Sequence, residues 1–176
     1  MRRLLPLLAV LAAPPAAGEV TGQSPSGFAT AGTVTIAARP ERVWATLVQP
    51  GRWWNAEHSW SGNAANLSLD PRAGGCFCEA LPNGGSVEHM RVIYADPGRQ
   101  LRLSGALGPL QGEGLAATLT VTLESSGGET KLAWSYKVGG YTDLSRVQIA
   151  AAVDGVVSEQ FGRLARLVAA GAPQAR

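Results

Sequence analysis

Hydrophobic and polar residues alternate with a period of two through most of the chain and shift to a period near 3.6 only at its end, the pattern of an antiparallel sheet followed by one long helix. Phe28, Thr30, Val34 and Ile36 fall on one side of a first strand over residues 28–38. Arg39-Pro40-Glu41 ends it, with proline where a helix start can spare an N–H, and Val43, Trp44, Leu47 and Val48 follow at helical spacing. Gln49-Pro50-Gly51 breaks that helix, and Arg52-Trp53-Trp54 predicts a second short one. Six further strands are predicted over 67–70, 75–81, 86–96, 100–106, 115–123 and 130–138, separated by Pro82-Asn83-Gly84-Gly85, Pro97-Gly98, a Gly-rich loop and Gly127-Gly128. From about Ser145 to Ala170, the positions Ile149, Val153, Val156, Val157, Gln160, Phe161, Leu164, Leu167 and Val168 keep one helical stripe.

With 176 residues, 45% of them hydrophobic, the chain suits one domain with a sizeable core. Its first residues read differently. Arg2 and Arg3, the apolar run Leu4 to Ala13 and the small residues Ala16-Ala17-Gly18 predict a signal peptide over 1–18. A flexible leader over 19–27, a domain over 28–170 and a disordered tail over 171–176 complete the expected organisation. The apolar run is too short to cross a hydrocarbon core, which takes about 20 residues, so the mature chain is expected to carry no membrane segment and to reside in the periplasm or outside the cell. Without Arg2 and Arg3, 13 basic residues balance 13 acidic ones. That balance, with Lys and Arg scattered, excludes the basic stripe of a nucleic-acid binder and argues against an anionic membrane surface.

The run 38-ARPERVWATLVQPGRWW-54, then Gly74-Gly75, the strand ending in 96-DPG with 101-LRL, the Gly-Gly turn before Thr130 and the closing helix together resemble the SRPBCC or START-like superfamily. Within it the sequence is most similar to secreted relatives of the Aha-type chaperone-ATPase activator domain, a group that includes polyketide-cyclase-like proteins. The resemblance covers Phe28 to about Ala170. It implies an α+β helix-grip fold: a seven-stranded antiparallel sheet curved around the long C-terminal helix, with two short helices between strands 1 and 2 and a cavity beneath the long one. Members of the superfamily bind lipids, sterols, polyketides or plant metabolites, and some are cyclases or hydrolases. An ATPase role is excluded, because no Gly-x-x-x-x-Gly-Lys-Ser/Thr run exists to hold phosphates.

Neither Gly-x-Ser-x-Gly nor His-Glu-x-x-His occurs, and the sequence assigns no catalytic residue. Acid–base chemistry would have to use His58, His89 or one of Glu79, Glu88, Glu113 and Asp154, each of which reads as a solvated charge. Asp154-Gly155 interrupts the long helix, and a close approach by the sheet or a ligand, or a packing notch, is expected there because glycine costs about 1 kcal/mol in a helix. Cys76 and Cys78 share one strand with Cα atoms about 6.6 Å apart if it is regular, so a disulfide between them needs a bulge. A four-residue loop at 82–85 would set Cys78 opposite His89 and Cys76 opposite Arg91. With His58, these offer a zinc or copper(I) ligand set, Cys76, Cys78, His89 and His58. Thiols, disulfide and metal all remain open. The cysteines would face outward and Phe77, Leu81, Met90, Val92 and Tyr94 inward.

The first functional expectation is an exported carrier of a small hydrophobic molecule, held without a cofactor in the cavity by Trp134, Tyr136, Val157 and Phe161, with Trp44, Trp53 and Trp54 buttressing the helix. The second is a cyclase- or hydrolase-type enzyme using His58 or a carboxylate at the cavity mouth. The third is a metal- or redox-responsive module on Cys76-x-Cys78. The ligand, any protein partner and the oligomeric state are not written in the residues.

Overall fold

The computed structural model describes residues 16–171; most of the expected signal peptide and the expected tail from 172 on lie outside them. The elements are β1 (Ala17–Ser24), β2 (Gly27–Ile36), α1 (Pro40–Leu47), β3 (Leu67–Leu69), β4 (Cys76–Ala80), β5 (Ser86–Asp96), β6 (Gln100–Ser104), β7 (Gly114–Ser126), β8 (Glu129–Tyr141) and α2 (Arg146–Ala170). All strands join one antiparallel sheet in the order β1-β2-β8-β7-β6-β5-β4-β3. Seven of them are the predicted seven. The eighth, β1, occupies an edge where a leader was expected, pairing Ala17 to Ser24 with Thr33 to Gly27. The expected cleavage point before Glu19 therefore falls inside a strand. The second short helix is reduced to a 3₁₀ turn at Pro50–Arg52, followed by others at Ala56–His58 and Ala64–Asn66.

Alternation puts Leu132, Trp134, Tyr136 and Val138 of β8 on the inner face beside Phe28, Thr30, Val34 and Ile36 of β2, all of them buried. Trp134 faces Gly32 across the ladder. A Cβ on Gly32 would stand 2.2 Å from the indole, so glycine there makes the room the ring needs. Phe161 of α2 stacks between Trp134 and Trp53, with centroids 4.8 and 6.2 Å away. This aromatic run ties the helix to both the sheet and the loop that follows α1.

α2 lies against β1, β2 and α1, which covers one half of the curved sheet. The helix meets β1 at Gly18, where a Cβ would stand 2.1 Å from Ser158 Oγ and 2.8 Å from Asp154 Oδ1. The close approach expected at Gly155 is absent: that residue is exposed and a Cβ would meet nothing within 4 Å. Among the described residues no helix is long and apolar enough to cross a membrane.

The β4–β5 hairpin departs from the expected register. Cys76 does face Arg91 and Phe77 faces Met90, but Cys78 faces Glu88, so His89 is an extra residue on β5. Such a bulge lets two successive side chains point the same way; His89 and Met90 are both buried. A second irregularity between Val92 and Tyr94 turns Tyr94 outward, against expectation. Cys76 and Cys78 are joined in a disulfide, with Cα atoms 5.3 Å apart, nearer than a regular strand allows.

Candidate functional site

A chamber of about 310 Å³ opens between the N-terminal half of α2, the loop carrying Trp54 to Trp60, the turn at Leu107 to Leu110, and His89. Val153, Val156 and Val157 of α2 give it an apolar wall, and His58 and His89 supply its imidazoles. Trp54, Leu107 and Val157 also border a smaller inner hollow of about 40 Å³, closed by Leu, Phe and Trp side chains and by Gln160. The void thus lies toward the β4–β6 half of the sheet, the half that α2 leaves uncovered.

The loop over the chamber is fastened on two sides. On the helix side, the Asn55 N–H donates to Gln160 Oε1 at 2.7 Å, Asn55 Nδ2 donates to Glu159 Oε1 at 2.7 Å, and Arg163 Nε donates to the Trp53 carbonyl at 2.9 Å. His58 Nε2 lies 3.3 Å from Glu159 Oε2. On the sheet side, Glu79 accepts the Trp60 N–H at 3.0 Å and the Ser61 N–H at 2.5 Å. Trp54 packs edge-on against Phe77 at 5.4 Å and spends its indole N–H on the His58 carbonyl.

Glu79, expected from the sequence to be a solvated charge, departs most from that expectation. Its side chain is fully buried and its Oε2 lies 2.9 Å from His89 Nε2, itself almost wholly buried. Burial alone would raise its pKa. Hydrogen bonds from Ser61, the Trp60 amide and His89 outweigh that and hold the carboxyl below its ordinary value. An ionised carboxylate only accepts, so His89 Nε2 carries the proton and donates. Nδ1 has no hydrogen-bonding partner among the described residues. A buried carboxylate that fixes the tautomer and orientation of an imidazole on a cavity wall is an arrangement suited to proton transfer.

Of the four residues expected to line the cavity, Val157 and Phe161 do. Trp134 is buried against Phe161 of α2, Tyr136 is buried with its hydroxyl at the loop of Gly105 and Leu107, and neither lines either space. Tyr136 holds a loop: its hydroxyl accepts the Leu107 N–H at 2.9 Å and donates to the Gly105 carbonyl at 3.2 Å. Of the expected buttresses, Trp53 is buried in the aromatic stack and Trp44 packs at the edge of the core, whereas Trp54 lines both spaces. The set Cys76, Cys78, His89 and His58 is not brought together. The cysteines bond each other on the outer side of β4, the bulge carries His89 to the inner side, and His58 pairs with Glu159. Among the described residues no group of three or more His, Cys, Asp or Glu side chains could hold a metal ion.

The sequence reading missed Trp60, Leu107, Ile149 and Gln160 as lining residues. Gln160 carried a signal, being the one polar position in the stripe of α2. Glu79 carried one too, since it stands two residues from Phe77, already placed on the inner face.

Comparison with solved structures gives the same architecture. A protein from Rhodobacter sphaeroides aligns over 88% of this chain and 99% of its own with 23% identity and a TM-score of 0.56. CalU16 from Micromonospora echinospora, in solution, aligns over 95% and 80% with 17% identity and a TM-score of 0.59. A conserved protein of unknown function from Enterococcus faecalis aligns over 92% and 80% with 15% identity and a TM-score of 0.58. At these identities the likeness is one of fold. A search of curated proteins finds no match. The family model described as polyketide cyclase / dehydrase and lipid transport matches residues 28–169, the stretch from β2 through nearly all of α2, and the chain belongs to that family.

Proposed function

We propose that this protein binds a small, largely apolar molecule in the chamber beneath the N-terminal half of α2. The observation that carries the reading is the chamber itself. It has about 310 Å³ of space, apolar walls from one helix flank and two tryptophans, and two imidazoles in its lining. Ligand sites combine apolar lining with a few placed polar groups in this way. The membership in a family that includes lipid transport supports it. The test is saturable fluorescence enhancement of 1-anilinonaphthalene-8-sulfonate. Val153→Trp, which fills the chamber from a half-buried position, should abolish the enhancement and leave the thermal midpoint near that of the parent. An absence of saturation in the parent protein, or an unaltered signal in the variant, sinks the reading.

The carrier is proposed to work outside the cytoplasm. The N-terminal pattern and the disulfide between Cys76 and Cys78 both support export, since oxidising compartments favour disulfides. N-terminal mass analysis of protein recovered from the periplasm should give a chain beginning near Glu19; an intact Met1 there counts against it.

A second reading is favoured by one observation, the buried Glu79–His89 pair at the chamber wall. In it, His89 Nδ1 takes a proton from the bound molecule while Glu79 stabilises the resulting imidazolium. The probe is 5-nitrobenzisoxazole, whose ring carbon loses a proton as its N–O bond breaks to give a coloured phenolate. Turnover that falls to the solution background in His89→Gln supports a base at this position. Equal rates in the two proteins remove it.

A further inference from the structure

Gln160 is buried in the wall of the inner hollow with only half of its amide satisfied. Which half is settled by chemistry. The partner at 2.7 Å is the Asn55 N–H, a donor, so the atom facing it is Oε1. Nε2, with two N–H donors, is left without a partner among the described residues. Native interiors leave few buried polar groups unpaired, and each one calls for an explanation.

The surroundings restrict what can supply the missing acceptor. The remaining side chains around the hollow are leucine, valine, proline, phenylalanine and tryptophan. Both indole donors there are engaged, Trp53 Nε1 on the Thr46 carbonyl at 3.0 Å and Trp54 Nε1 on the His58 carbonyl at 2.9 Å. A buried water makes about three hydrogen bonds, and no other side chain of the hollow has one to offer. A carboxylate or phosphate would meet no cation in this lining and would bear the full cost of desolvation. The fitting group is a neutral acceptor on an otherwise apolar body.

We propose that Gln160 is a recognition point for a carbonyl oxygen, of a ketone, ester or amide. It would be carried on the leading end of a hydrophobic ligand that fills the outer chamber and reaches into the hollow past Trp54, Leu107 and Val157. This inference rests on the binding reading above and adds the chemical class of the ligand. It also gives the ligand a direction, acceptor end inward and the opposite end beside His58 and His89.

The test compares two probes of nearly the same shape, 2-acetylnaphthalene and 2-ethylnaphthalene, by quenching of the intrinsic tryptophan fluorescence. The native protein should prefer the ketone by about fivefold to tenfold, the ratio that one neutral hydrogen bond gives. Gln160→Met, of similar length but without the amide, should bring the two affinities together. Gln160→Leu, a second apolar replacement, removes the same donor and should likewise bind the ketone no better than the hydrocarbon. Equal affinities in the native protein, or a preference that survives in both variants, overturn the carbonyl assignment while the chamber stands. Failure of both probes to bind the native protein removes the binding reading and this inference with it. Because the first comparison needs no variant, a substitution that fails to fold does not protect the idea.

Discussion

Glu79 and His89 are joined side chain to side chain, Oε2 to Nε2 at 2.9 Å, across a hairpin in which they are not paired residues. Glu79 faces Val87 in the ladder, and the contact exists because the extra residue in β5 carries His89 to the same inner side. The carboxylate also receives the Trp60 and Ser61 amides. One buried acid therefore holds together the hairpin, the chamber roof and the imidazole on the chamber wall.

Replacing it has a measurable acid signature. The carboxyl of Glu79 titrates below its ordinary value of 4.5. A depressed folded-state pKa gives stability that is complete above the unfolded value and is lost as the pH falls through the folded one. Urea unfolding should therefore show the Glu79 contribution intact from neutrality to about pH 5 and declining below about pH 4.5. In Glu79→Gln the stability near pH 7 should drop by about 1–3 kcal/mol, as one charged acceptor for three donors is lost, and this part of the acid decline should vanish.

Tyr136 separates loop support from ligand contact. Its hydroxyl serves Leu107 N–H and the Gly105 carbonyl, and burial pushes its phenol pKa well up. Tyr136→Phe leaves both backbone groups unpaired and should cost about 1–3 kcal/mol in chemical denaturation. Because the ring lines neither space, the affinity of the folded variant for 1-anilinonaphthalene-8-sulfonate should stay within about twofold of the parent.

The disulfide between Cys76 and Cys78 closes a very short loop, so its constraint on the unfolded chain is small, about 1–2 kcal/mol by loop entropy. A Cys76→Ser/Cys78→Ser double variant should lose no more than that. Since both cysteines face away from the chamber, its probe binding should be unchanged. A loss of binding would show that the bridge fixes the inner side of β4 as well.

Gly155 sits within α2 facing open space. Gly155→Ala meets nothing and removes the conformational freedom that glycine brings to a helix interior, so it should stabilise the protein by about 1 kcal/mol, read as a higher urea midpoint at unchanged slope.

Seven strands and the long helix were legible because each carries a strong local period. Leu132, Trp134, Tyr136 and Val138 alternate without interruption, and α2 keeps its stripe from Ile149 to Val168. β1 was not, since AGEVTGQS offers one large apolar residue, Val20, and is ordered by its ladder to β2. Alternation says that Trp134 and Tyr136 point inward. It does not say that α2 covers that half of the sheet and leaves the void over the other, a matter of how far the helix leans. The family resemblance reached the fold correctly, and the matching family lies on its polyketide-cyclase side. His89 was hidden by a bulge that only the pairing of two strands creates. Glu79 was open to view, because whatever shares a face with Phe77 two residues away must share its burial.

The extra residue in β5 has a genetic corollary. Cutting one codon from that strand would mend the ladder opposite Phe77 and Cys78 and leave a tidier hairpin, yet it would turn an imidazole out into water and leave Glu79 facing an emptied wall. In this hairpin an apparent flaw in pairing is what sets an imidazole on the chamber wall, and a sequence trimmed toward regularity would lose it.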